Sequence, residues 1–189
     1  MRSASDRRST AYHEAGHAVV GHALSIRIGR VTINPTASFR GHTAARVYES
    51  ELFSPTHIIF CLAGPYAQQR AMRTGWLYAA LDGGADDWES AAEAMKRLGC
   101  GSRDELAFER MTRKIVKQLW PVIDSFARLL LQGTGEIAEH QVLELLESLL
   151  GQKAEYHDAV LRVHRFQALY AERYVTAQNA FYAERYVKA

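Results

Sequence analysis

Cysteine is almost missing from this 189-residue chain, which has only Cys61 and Cys100. Two thiols cannot make the dense disulfide framework of a small secreted protein, so a reducing, cytoplasmic setting is the simpler expectation, with room for one bridge. Long apolar runs are also missing. None approaches the roughly 18 residues that span a bilayer, and the arginine-bearing start, Met1 to Ser9, has no apolar core of signal-peptide length behind it. No membrane partner is expected. An excess of one charge is lacking too: 23 basic and 21 acidic residues leave +2, which argues against a nucleic-acid or membrane-surface binder. With 48% apolar residues and only four prolines, the chain is neither disordered nor collagen-like as a whole. Its length suits one globular domain, or one domain with an appendage.

Helical spacing dominates what is present. Ala11, Ala15, Ala18, Val19 and Leu24 predict a mostly buried helix from about Asp6 to Leu24. Ile26, Ile28, Val31 and Ile33 then alternate roughly with polar residues, Asn34-Pro35 predicts a turn, and Gly41 to Tyr48 reads as a further strand of a small antiparallel sheet. Pro55 to about Arg73 returns to helical spacing, with Pro65 expected to kink or divide it. Trp76 to Ala85 reads as a loop. Asp86 to Glu89 has the form of a capping box opening a helix to about Leu98. A long helix is expected over Asp104 to Leu131, bent at Pro121, and another over Glu136 to Leu150. The tail is helical in period and repeats Tyr-Ala-Glu-Arg-Tyr-Val at 170–175 and 182–187. Twelve residues rotate the copies by about 120°, so they fit a local duplication within one amphipathic helix rather than a shared face. A partner-binding or self-association role is the alternative.

Chemistry concentrates at His13-Glu14-Ala15-Gly16-His17, an HExxH inside the first predicted helix. Residues four apart lie about 40° apart around a helix, so both imidazoles can converge on one Zn²⁺. Glu14, offset by about 100°, can reach the open side of the metal and act as general base on water. Chance predicts about 0.025 occurrences of the bare pattern in a chain of this composition, so coincidence is a poor account of it.

A catalytic zinc needs a third protein ligand. A histidine ten residues after the first would serve in the metzincin pattern, but Ala23 stands there, and His22 lies on the wrong side of the helix. Acids at the start of a helix can aim a carboxylate at a neighbouring element, and Gly83-Gly84-Ala85-Asp86-Asp87 offers two. Asp87 is favoured, because Asp86 is expected to cap its helix. His42, His57, His140, His157 and His164 read as surface or packing residues, and neither cysteine has a plausible activating base nearby in sequence.

Taken in order, these motifs resemble the peptidase domain of FtsH-type ATP-dependent zinc proteases. The resemblance runs through Ser9 to Ala18 around the zinc helix, Val31 to Pro35 and Gly41 to Thr43, Leu62 to Ala67, Gly83 to Asp87, and Trp120 to Leu146. It covers roughly residues 6–150. It implies a fold that is α+β, mainly α, with a zincin-like HExxH helix, a small antiparallel sheet and a C-terminal helical bundle. It also implies one Zn²⁺ per chain on His13, His17 and Asp87, with Glu14 catalytic. In such proteases an edge strand can hold substrate by β-addition, and Val31, Thr32 and Ile33, or Gly41 to Val47, would be that edge here. Three departures stand out. Gln68 and Gln69 replace the acids usual after the glycine-bearing helix, although the Gln68 carbonyl can still orient a histidine as a second-shell partner. No GxxxxGK[ST] occurs, so this polypeptide is not expected to be its own ATP-driven unfoldase. Residues 151–189 lie outside the resemblance.

The expected organisation is therefore an FtsH-like metallopeptidase domain over 1–150 and a helical extension over 151–189. The expected function is zinc-dependent hydrolysis of peptide bonds in unfolded or flexible polypeptides, with a separate ATPase or self-association as a further partner. The alternative is a catalytically silent module that uses the same fold for binding or assembly.

Overall fold

The computed structural model describes residues 4–37, 40–48, 51–73, 84–150 and 154–186. Small residues spaced three and four apart let α1 (Ala4–Ala23) lie at the centre, buried on every side from Ser9 to Gly21. Against it pack β1 (Arg27–Thr32), α2 (Pro55–Met72) and α5 (Trp120–Gln132). The other elements are β2 (His42–Arg46), α3 (Ala85–Arg97), α4 (Ser102–Gln118), β3 (Glu136–Ile137), α6 (Glu139–Leu150), α7 (Ala154–Ala168) and α8 (Ala171–Tyr186). The architecture is mainly helical, 75%, with one small antiparallel sheet, in keeping with the expected class. No helix among the described residues is long and apolar enough to cross a membrane.

Sheet order is β2-β1-β3, antiparallel throughout, with Val31 opposite both Thr43 and Ile137. This corrects one of the two expected substrate edges. Val31 and Thr32 are paired on both sides and so offer no open edge, and just beyond β1 the Ile33 N–H is taken by the Gly135 carbonyl at 2.7 Å. Among the described residues the outer strands are β2 and the two-residue β3, and β2 is the one beside Glu14. Gly135 adopts φ +83 where the chain turns into β3, and a side chain there would strike Asn34 Oδ1.

Helix boundaries depart from the sequence pattern where backbone donors run out. Pro65 does not divide α2, which continues from Pro55 to Met72 with the ring buried. The ring costs one N–H, the one that would bond the Cys61 carbonyl, and burial of nearly the whole helix against its neighbours compensates. The expected helix over 104–131 is two helices meeting at Leu119. Pro121 sits in the first turn of α5, where a missing N–H is harmless, and so marks a start rather than a bend. Asp86 does not cap α3: the N-cap is Gly84, no side chain caps the helix, and Asp86 and Asp87 both lie in the first turn. Most of the expected loop over 76–85 lies outside the described residues.

The tail also forms two helices instead of one. Phe166 and Tyr170 rest on Phe108 of α4 at centroid distances of 5.0 and 4.8 Å, and Phe181 meets Phe53 at 5.2 Å. Gln167 Nε2 donates to Thr56 Oγ1 at the start of α2. The first copy of the repeat begins at the α7–α8 turn, where Tyr170 is buried, whereas the matching Tyr182 in α8 is 40% exposed. Identical sequence thus meets different environments, because one tyrosine lies in the turn packed on Phe108 and the other lies within the helix.

Candidate metal centre

His13 and His17 lie one turn apart on α1, both buried, with ring centroids 4.8 Å apart. Buried imidazoles need partners, and each has an acceptor at its outer nitrogen. His13 Nδ1 donates to Gln68 Oε1 at 2.9 Å, while the Gln68 amide donates to Ser9 Oγ at 2.8 Å, which fixes the way the amide faces. His17 Nδ1 donates to the Phe60 carbonyl at 2.9 Å. With Nδ1 of each ring engaged by these acceptors, both Nε2 atoms point inward and are the nitrogens placed to act as metal ligands. Those two Nε2 atoms are 3.1 Å apart.

Asp87 comes from α3, seventy residues further along, and sets its Oδ2 2.9 Å from His13 Nε2 and 3.2 Å from His17 Nε2. Three electron-pair donors therefore crowd into one triangle. Ligand bonds of about 2.0–2.1 Å at tetrahedral angles place neighbouring ligand atoms roughly 3.3–3.4 Å apart, so the triangle matches one face of a zinc-type site to within a few tenths of an ångström. Among the described residues, this trio is the one group of three or more His, Cys, Asp or Glu side chains that could hold a metal ion. With protein groups alone, the closeness of Asp87 favours protonation of His13. Burial would lower the His13 pKa, but Asp87, Glu14 and the Gln68 carbonyl outweigh it and raise it to about 9. Burial would raise the Asp87 carboxyl, but the two histidines hold it well below the usual carboxylate range.

Helix α2 passes the site at very short range. A Cβ on Gly64 would lie 2.6 Å from His17 Cδ2 and 2.9 Å from His13 Nε2, so only glycine leaves room for the rings. One face over, a Cβ on Gly16 would lie 2.6 Å from Ala67 Cβ and 2.7 Å from the Ala63 carbonyl. The two glycines let the helices approach until the Phe60 carbonyl and the Gln68 amide reach the histidines.

Glu14, also buried, projects beside the triangle toward β2. Its Oε2 accepts from Thr43 Oγ1 at 2.7 Å, and Gly41 faces its other oxygen. A cavity of about 200 Å³ opens between His13, Glu14, His17 and Asp87 on one side and Gly41, Thr43 and Phe60 on the other. A larger cavity of about 640 Å³ lies past the far end of β2, between Arg46, His57 and the tail residues His164 and Tyr174. It has no comparable convergence of ligands.

Sequence reasoning named His13, Glu14, His17, Asp87, Gln68 and Gly41, and all six meet here. Val31 and Thr32 lie one strand further in, at the centre of the sheet, and Ile33 just beyond β1. Thr43, Ser9 and the Phe60 carbonyl went unrecognised as partners. For Thr43 a signal existed: a hydroxyl in a stretch of small residues, two places after Gly41. Cys61 also differs from expectation, since His57 Nε2 lies 3.4 Å from its Sγ. Burial and the Asp87 charge push that thiol up, while burial lowers His57, which opposes a thiolate–imidazolium pair.

A mainly helical α+β chain thus brings the two imidazoles of its first helix together with a carboxylate from a distant one. No family model matches the chain. A stretch of 104 residues is 41% identical to the ATP-dependent zinc metalloprotease FtsH 1 of Symbiobacterium thermophilum, covering 51% of this chain. The match covers 17% of that protein's length, and it points to an FtsH-related region here.

Proposed function

We propose that this chain is a zinc-dependent peptidase acting on unfolded or flexible polypeptides, with residues 1–150 as the peptidase-like unit. The observation that carries the reading is the donor triangle: two imidazoles turned inward by their Nδ1 hydrogen bonds, and a carboxylate within 3.2 Å of both. His13, His17 and Asp87 would hold the ion, and the similarity to a zinc metalloprotease supports zinc over other divalent metals. Zinc bound there would supply Lewis acidity, polarising a peptide carbonyl and making water acidic near neutral pH. Glu14 takes the proton from the attacking water and delivers it to the leaving amine. Gln68 and the Phe60 carbonyl keep both histidines in the tautomer that presents Nε2. The open side of β2 lets an extended polypeptide lie along the cavity, where main-chain hydrogen bonds give affinity without demanding a particular sequence.

The test combines metal analysis with digestion of an unfolded protein by wild type and Glu14→Gln. One zinc per chain and cleavage lost in the variant are expected. Protein without zinc after metal-replete preparation, or cleavage indifferent to Glu14→Gln, would overturn the reading. Bound zinc without any cleavage would instead favour a silent binding module.

A further inference from the structure

We propose that Thr43 and Gly41 are positioning residues that assign different duties to the two oxygens of Glu14, with Oε2 anchored and Oε1 moving the proton. The proposal rests on the peptidase reading above and adds residues to it. Thr43 is buried and its hydroxyl has one proton to give. Two acceptors stand within reach, Glu14 Oε2 at 2.7 Å and the Glu14 main-chain carbonyl at 3.1 Å. The shorter contact to the charged oxygen is the stronger, so the proton goes to Oε2 and occupies that oxygen.

Gly41 precedes Thr43 by two residues, in the bend just before β2, and also abuts the Glu14 side chain. A Cβ at Gly41 would lie 2.7 Å from Glu14 Oε1, 3.0 Å from Glu14 Cγ and 2.5 Å from Thr10 Cγ2. Any larger residue would push the carboxylate away, so one position grips Oε2 while the other leaves Oε1 its space. Oε1 is then the oxygen left to receive a proton. Water loses a proton to Oε1 as its oxygen forms the new C–O bond, and Oε1 returns that proton to the amide nitrogen as the C–N bond breaks. Thr43 also pairs through its backbone with Val31 in the middle of the sheet, so the grip is anchored in a fixed ladder. The strand that offers substrate an open edge is thus the strand that orients the base.

The test compares Thr43→Val, Thr43→Ser and Gly41→Ala with wild type, all zinc-loaded, on an unfolded protein or flexible peptide. Thr43→Val keeps the side-chain shape and loses the donor, so kcat should fall about 10- to 100-fold with KM within about twofold, and Thr43→Ser should recover to within about threefold. The 13C resonance of the Glu14 carboxylate, assigned by its loss in Glu14→Gln, should move in Thr43→Val and return in Thr43→Ser. An unchanged kcat in Thr43→Val, or a Thr43→Ser as impaired as Thr43→Val with the resonance unmoved, would overturn the proposal. Should Thr43→Val fail to fold by circular dichroism, Gly41→Ala decides. It keeps the hydroxyl and should still lose kcat and displace the resonance, and wild-type behaviour would sink the idea. If zinc-loaded wild type cleaves nothing, the peptidase reading falls. The carboxylate resonance of the zinc-free chain still tests the Thr43 contact.

Discussion

Gly64→Ala sets helix propensity against the geometry of the metal centre, and the two predict opposite signs. Gly64 lies inside α2, where alanine is intrinsically better by about 1 kcal/mol. The added methyl would, however, sit 2.6 Å from His17 Cδ2 and 2.9 Å from His13 Nε2, and closer still to His17 Nε2. Comfortable contact begins near 3.5 Å, so the rings must retreat by about 1 Å. Such a retreat would pull them off the Phe60 carbonyl and Gln68, their 2.9 Å partners one turn to either side of Gly64 on the same helix. Overpacking of this kind costs about 1–3 kcal/mol, which cancels or exceeds the helical gain. The larger effect should fall on metal binding: displacing the histidines from their orienting partners should weaken zinc by about 10- to 100-fold. Competition with a chromophoric chelator measures the affinity, and urea denaturation of the zinc-free protein measures stability. A variant that is stabilised by about 1 kcal/mol and binds zinc as wild type does would refute the reasoning.

The two acids of α3 should separate cleanly. Asp87→Ala should abolish tight zinc binding, whereas exposed Asp86→Ala, which removes no cap, should cost only about 0.3–1 kcal/mol through the helix dipole; isothermal titration and thermal unfolding check both. Without metal, stability should depend on pH through the protonation of His13 beside Asp87. The His13 pKa, about 9 when folded, exceeds its unfolded value near 6.5, so its contribution is complete below pH 6.5 and disappears as pH rises through 9. The loss is up to about 3 kcal/mol. Asp87 acts with the opposite sense, its depressed pKa contributing above the ordinary carboxylate range and fading on acidification. Chelator-treated protein whose urea midpoint rises between pH 6.5 and 9 would contradict this. Phe166→Ala should cost about 3 kcal/mol, because the ring is buried against Phe108 and Tyr170; chemical denaturation reads the loss.

The sequence by itself determined what depends on neighbours along the chain. Helical periodicity identified most of the helices, and a four-residue spacing put His13 and His17 on one face of α1, because 3.6 residues per turn is a local property. Helix ends were less legible. The stops at Leu119 and near Leu169 depend on which backbone groups find partners after packing. Tertiary structure alone decided that β1 lies in the middle of the sheet, which removes Val31 and Thr32 as an edge and leaves β2 and β3 outermost. It alone put Thr43 against Glu14 and fixed Gln68 on His13. It also brought Asp87 within 3.2 Å of both histidines across seventy residues of chain. Such contacts join elements that share no local period, and the one between His13 and Gln68 needs Gly16 and Gly64 to let α1 and α2 close on one another.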